Sequence, residues 1–311
     1  MLPNNFNAPI EEISQSRKHH ILVLKIDQIE MEHSLKVHDL LMNATTLNEL
    51  DVILQTNGGD INSAYQIIKF LRNYAKKVFI IIPYYAKSAG TLICLGGDEI
   101  LLAGFSELGP LDTQIYEEQG GTGSEYVSAL NGFKALESIQ LHCVETLDTA
   151  TLLIYKRSGL KVAEAFELAN KFTGKTSGKL YSQLNAYKLG YYSRALGIGE
   201  HYAKQVLTRY MKWDAKPSAD TVKKLVTGYP SHDFVIDVDE LVSLKLPAKM
   251  IDSALLKSIC TLRDLIKKYK GDLIEFIEFK DNSQKEIPEK LKEKLTEEVE
   301  SNNGGKKNDI Q

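Results

Sequence analysis

Ser88 is the residue of this chain best placed to act as a nucleophile. It stands in Tyr85-Ala86-Lys87-Ser88-Ala89-Gly90-Thr91, between the apolar, β-rich run Val78-Phe79-Ile80-Ile81-Ile82 and Thr91-Leu92-Ile93-Cys94-Leu95, which is suited to opening a helix. A strand-to-helix turn projects the hydroxyl, small neighbours such as Gly90 let a substrate backbone approach, and a helix N-terminus favours developing negative charge. Small residues serve any tight turn, so Ser-Ala-Gly alone decides nothing. A second turn of the same kind lies upstream. Gln55-Thr56-Asn57-Gly58-Gly59-Asp60 ends another apolar run and precedes a helical pattern carried by Ile67, Ile68, Phe70, Leu71 and Tyr74. Paired glycines leave backbone N–H groups free to hold an oxyanion. Taken alone, Asn-Gly-Gly would equally be a plain hairpin turn.

The elements that must position these turns follow a regular alternation. Apolar strand-like runs near residues 20, 51, 78 and 98 are separated by helical stretches, which predicts an α/β fold with a largely parallel, buried sheet. In such sheets the ligand site lies beyond the carboxyl ends of the strands, where both glycine turns fall. The two turns therefore converge on one crevice.

In order, Asn57-Gly58-Gly59, Lys87-Ser88-Ala89-Gly90-Thr91, Gly97-Asp98-Glu99-Ile100 and Leu108-Gly109-Pro110-Leu111-Asp112 resemble the Clp/crotonase superfamily of serine peptidases. Within it the chain most resembles the signal peptide peptidase A-like group called the serine dehydrogenase proteinase family. Gln55-Thr56-Asn57 departs from that superfamily's Asn-Ser-Pro wording and keeps the glycine pair. The resemblance is dense over about residues 50–115 and looser to about 245. It implies a Clp/crotonase-like fold of repeated ββα units with a mostly parallel sheet, plus an added helical region. It also implies cleavage of peptide bonds through a Ser88 acyl-enzyme, with Gly59 and Ala89 N–H groups as the oxyanion hole and Gly58 and Gly90 beside the substrate. A homo-oligomer acting on peptide or protein substrates, membrane-derived ones included, is expected on the same ground.

The general base has two candidates. Lys134, early in a helix that runs from about Val127 through Tyr155, is spaced from Ser88 like the lysine of Ser–Lys dyads in the signal peptide peptidase A-like branch. A lysine serves as base only if burial lowers its pKa, and Phe133, Ala135 and Leu136 are the neighbours expected to desolvate it. The alternative is an ordinary helix lysine with a solvated head. His232, in Gly228-Tyr229-Pro230-Ser231-His232-Asp233, needs no tuning at neutral pH, and Asp233 or Asp237 is available to orient it. The Clp branch carries its histidine much closer to the serine, and no histidine lies between Ser88 and His142 here.

Other features exclude rather than suggest. His19 and His20 lack partners at metal-ligand spacing, and Gly121-Thr122-Gly123 and Gly174-Lys175-Thr176 lack the strand and glycines of a nucleotide loop. No dinucleotide fingerprint or pyridoxal lysine motif accompanies them, so neither metal nor cofactor is expected. A net charge of −3 argues against nucleic acid as partner. Cys94, Cys143 and Cys260 fit no disulfide framework, and no apolar run reaches membrane-spanning length. These point to the cytoplasm, with membrane association as the alternative.

The expected organisation is a flexible arm over 1–18, a peptidase domain over 19–245, a C-terminal helix over 246–280 and a charged, disordered tail over 281–311. Residues 117–124 read as a mobile loop beside the site. Two readings compete with the peptidase: a non-catalytic scaffold on the same fold, and an ester or thioester hydrolase.

Overall fold

The computed structural model describes residues 2–44, 46–112, 114–119 and 123–281, with the backbone alone for 114–119 and 123–126. The chain begins with α1 (Asn4–Arg17). It then runs through β1 (His20–Ile26), α2 (Met31–Met42), β2 (Leu47–Thr56), α3 (Ile61–Tyr74), β3 (Ala75–Ile82), β4 (Tyr85–Ala86), α4 (Ala89–Leu95), β5 (Glu99–Leu102) and β6 (Glu107–Leu108). A hairpin, β7 (Gln114–Gln119) and β8 (Gly123–Ser128), leads into α5 (Ala129–Ser158), α6 (Val162–Tyr181), α7 (Ala186–Arg209) and α8 (Ala215–Thr227). After them come α9 (Val238–Ser243), β9 (Ala248–Met250), α10 (Ser253–Lys268) and β10 (Leu273–Ile277).

The main sheet has the order β10-β1-β2-β3-β5-β9, and all its neighbours are parallel except β10 against β1. This is the α/β, mostly parallel sheet that the alternation predicts. Both faces are apolar because both are covered, as the period-2 geometry of strands requires. Ile21 and Val23 of β1 join Ile53, Ile81 and Leu101 under α1 and α10, while Leu22, Leu24 and Ile26 join the larger core under α2, α3, α4, α7 and α8. At the end of β2 the sheet divides. Residues Leu47–Ile53 pair with β3, but Thr56 pairs with Ala86 of β4, which in turn pairs with β6. Both glycine turns follow directly on this division, at the ends of β2 and β4.

Three expectations about organisation change. Residues 4–17 are not a loose arm but a helix, whose Phe6, Ile10 and Ile13 at helical spacing bury against Leu255, Ile259, Leu262 and Ile266 of α10. The polar residues between those three hide the stripe. The stretch 246–280 holds two strands besides its helix, β9 and β10, which add to opposite edges of the sheet. Most of the 117–124 loop is hairpin backbone, with Glu117 opposite Glu125. The tail from 282 lies outside the described residues.

The α5–α6 pair projects from this body. Only Ala129 and Leu130 of α5 are fully buried, whereas Leu141, Val144, Phe166 and Phe172 are about half exposed. No helix among the described residues is long and apolar enough to cross a membrane.

Candidate active site

The strand β4 is followed by Lys87, whose N–H donates to the Thr56 carbonyl (3.0 Å), and then by Ser88, the N-cap of α4. Ser88 has φ 50° and ψ −117°, a conformation that side-chain-bearing residues rarely adopt. The surroundings hold it there. Gly90 packs so closely on β2 that a Cβ would lie 2.4 Å from Thr56 Cγ2, and Thr91 Oγ1 donates to the Gly109 carbonyl at 2.7 Å and lies 3.1 Å from the Ala86 carbonyl. Lys87 is not free for chemistry: its Nζ pairs with Glu107 at 2.7 Å.

The glycine turn sits directly against this elbow. Gly58 has φ 114°, and a Cβ there would meet Ser88 Cβ at 2.8 Å. Gly59 has φ 135°, and a Cβ there would lie 2.4 Å from the backbone N and O of Ile29. The loop after β1 thus forms a ledge behind the turn. Ile29 N–H donates to the Gly58 carbonyl (2.6 Å), and Asp60 N–H donates to the Ile29 carbonyl (2.8 Å). Gly58 N–H is taken by Thr56 Oγ1 at 3.0 Å. Among the described residues the N–H groups of Gly59 and Ala89 have no acceptor. Asp60 caps α3 through the Ser63 N–H at 2.8 Å. Burial raises its pKa, but the Ser63 and Asn62 hydrogen bonds outweigh that and hold its carboxyl below the ordinary value.

A histidine arrives from the far end of the chain. Leu108 and Ile236 exchange backbone hydrogen bonds (2.9 and 3.1 Å), which lays the segment after α8 along β6. Tyr229 stacks on Phe234, and its hydroxyl donates to Glu240 at 2.8 Å; burial pushes its pKa up. Between these anchors His232 Nδ1 lies 2.5 Å from Asp112 Oδ1. Asp112 is 1% exposed, its Oδ2 accepts from Ser128 Oγ at 2.5 Å, and its carbonyl accepts a long bond from Ser88 Oγ at 3.4 Å. One buried residue therefore touches both the serine and the histidine.

Residues 15–127 match the family of ClpP-like SDH-type serine proteinases. Over that segment the chain is similar to this family. Two uncharacterized proteins of Methanocaldococcus jannaschii are similar in sequence. MJ0137 is 25% identical over 240 residues, 77% of this chain and 66% of that protein. MJ1495 is 41% identical over 66 residues, 21% of this chain and 23% of that protein. The chain thus spans just under two thirds of the first relative and about a quarter of the second. Among solved structures, an asparagine-to-aspartate mutant of ClpP1 from Listeria monocytogenes aligns at TM-score 0.37 and 11% identity over 78% of this chain and 99% of that one. A serine-to-alanine mutant of the 1510-N membrane-bound stomatin-specific protease aligns at TM-score 0.30 and 20% identity over 48% and 69%.

Set against the SDH-type expectations, Ser88, Gly58, Gly59, Ala89 and Gly90 lie together. Lys134 does not have the surroundings expected of a desolvated base. Its side chain is 47% exposed and pairs with Glu137 at 3.0 Å, and it faces a groove with Phe133, Leu196, Glu200 and Val226 that Ser88 does not line. The first turn of α5 buries Ala129 and Leu130 and so turns Lys134 outward. Neither expected orienter touches His232 either: Asp237 caps α9 through the Glu240 N–H at 2.9 Å, and Asp233 is exposed. The acid that His232 Nδ1 meets is Asp112. Among the described residues no three metal-binding side chains gather.

Proposed function

We propose that the chain is a serine peptidase in which Ser88 is the nucleophile, His232 the general base and Asp112 the residue that orients it. The observation carrying this reading is the Asp112 bridge, with Nδ1 of His232 on its carboxylate and Ser88 Oγ on its carbonyl. An aspartate at Nδ1 fixes the tautomer that leaves Nε2 as a base and stabilises the imidazolium that forms. The long Ser88 contact frees readily when the hydroxyl turns to Nε2, as catalytic hydrogen bonds in empty sites commonly do. Ser88 Oγ then attacks the scissile carbonyl, its proton passes to His232, and the oxyanion is held by the Gly59 and Ala89 N–H groups. His232 returns the proton to the leaving amine. A water activated by the same nitrogen then hydrolyses the acyl-enzyme.

The match of residues 15–127 to a family of serine proteinases supports peptides as substrates over esters. An assembly of identical copies belongs to the same proposal, supported by the exposed apolar side chains Leu141, Val144, Phe166 and Phe172 of the projecting helices, and sedimentation tests it.

The test is the rate of labelling by a fluorophosphonate probe. Ser88→Ala should abolish it, His232→Ala and Asp112→Asn should slow it by about 10²-fold or more, and Lys134→Ala should change it less than about twofold. Loss in Lys134→Ala with retention in His232→Ala returns the base to Lys134. A folded wild type that never labels favours the non-catalytic scaffold.

A further inference from the structure

We propose that Ser128 is a positioning residue of this site, holding the Asp112 carboxylate in the orientation that presents His232 to Ser88; the proposal rests on the Ser88–His232–Asp112 reading. A carboxylate that orients a histidine must itself be held. Asp112 is 1% exposed and its two oxygens have different partners, His232 Nδ1 on Oδ1 and Ser128 Oγ on Oδ2, each at 2.5 Å. Without the second contact the carboxylate is free to rotate about its own Cβ–Cγ bond, and its buried Oδ2 has no donor among the described residues.

Ser128 cannot drift, because the same hydroxyl does two jobs. Its hydrogen goes to Asp112 Oδ2, while its oxygen accepts the Leu130 N–H at 3.1 Å and so caps α5. The two roles are compatible, since a hydroxyl has one donor and two acceptor sites. The residue is 7% exposed, and Ala129 and Leu130 beside it are buried. The first turn of α5 is therefore a fixed platform, and Ser128 transfers its rigidity to Asp112. The same geometry explains why α5 begins where it does: the last residue of β8 supplies both the cap and the tie.

Capping and positioning are separable by substitution. Glycine is tolerated at an N-cap at little expense but has no hydroxyl, alanine loses both functions, and threonine keeps both. The experiment measures fluorophosphonate labelling of the full chain against pH, with unfolding midpoints, for Ser128→Gly, Ser128→Ala and Ser128→Thr. Ser128→Gly is expected to label about tenfold or more slowly with a midpoint near wild type, as befits loss of a hydrogen bond to a buried carboxylate. Its acid limb should move to higher pH, because less of the Asp112 charge is compensated at Oδ2 and more acts on the His232 imidazolium. Ser128→Thr should restore rate and limb.

Wild-type labelling in Ser128→Gly overturns the proposal. So does equal loss in all three variants that tracks their midpoints, which assigns Ser128 a purely structural role. If labelling of the wild type is absent or indifferent to His232→Ala, the underlying triad has failed and the proposal falls with it, a result distinguishable from the other two.

Discussion

Gly59 and Gly159 form a matched pair for asking whether the site's glycine turn is held by backbone conformation or by want of space. Both have positive φ, 135° and 71°, so a side chain strains either one. They differ in what a Cβ would meet. At Gly159, the C-cap of α5, nothing lies within 4 Å, whereas at Gly59 a Cβ would stand 2.4 Å from Ile29 N and O and 2.9 Å from Ile29 Cα. Gly159→Ala should therefore cost about 1–2 kcal/mol, the ordinary penalty of a left-handed alanine. Gly59→Ala adds an overlap with backbone that cannot swing aside, roughly a further 1–3 kcal/mol. Relief requires the Ile29 ledge or the turn itself to move, and the second route carries the Gly59 N–H away from its place opposite Ser88. Guanidinium unfolding of the two variants should order them with Gly59→Ala the less stable, and only that variant should lose fluorophosphonate labelling, by about 10²-fold if the N–H is one of two oxyanion donors. Equal midpoints, or wild-type labelling in Gly59→Ala, would refute the argument from space.

Two further outcomes follow from buried or capping carboxylates. Asp60→Ala removes the cap of α3 and should cost about 1 kcal/mol in unfolding experiments. Because the folded-state pKa of Asp60 is depressed, its contribution is fully present above the unfolded value of 3.8 and is lost as pH falls through the folded one, so the difference between wild type and Asp60→Ala should narrow in acid. Asp51 is fully buried, accepts from Arg17 at 2.5 and 2.9 Å and lies 3.0 Å from His19 Nδ1. Asp51→Ala leaves the Arg17 guanidinium without its partner and should cost about 3 kcal/mol, with hydrogen exchange increasing first in α1; an unchanged midpoint would show that the pair adds nothing.

The parts of this molecule legible in sequence are those whose signal is local. Alternating apolar runs and helical stripes give the parallel sheet, and two glycine turns at strand ends give Ser88, Gly58 and Gly59 as neighbours. The α1 helix was hidden because Phe6, Ile10 and Ile13 make a stripe only one residue wide, set among asparagines and glutamates. The β9 and β10 strands were hidden because three and five residues of mixed polarity carry no period. Their strand character comes from the sheet edges at β5 and β1 that they meet.

The proposed base was illegible for a different reason. The family match ends at residue 127, so it includes Ser88, Gly59 and Asp112 and stops before both Lys134 and His232. Sequence spacing then favoured Lys134 by analogy, although a lysine's role depends on which way the first turn of its helix faces. That direction is fixed by the Ser128 cap and by the burial of Ala129 and Leu130, which leave Lys134 to pair with Glu137 in the open. His232 offered no spacing signal, because it reaches Asp112 through the Leu108–Ile236 pairing across 120 residues of chain. The one local clue was Asp112 itself, an acid closing the Leu108-Gly109-Pro110-Leu111-Asp112 motif. A carboxylate buried in the loop after β6 needs partners, and His232 and Ser128 supply them.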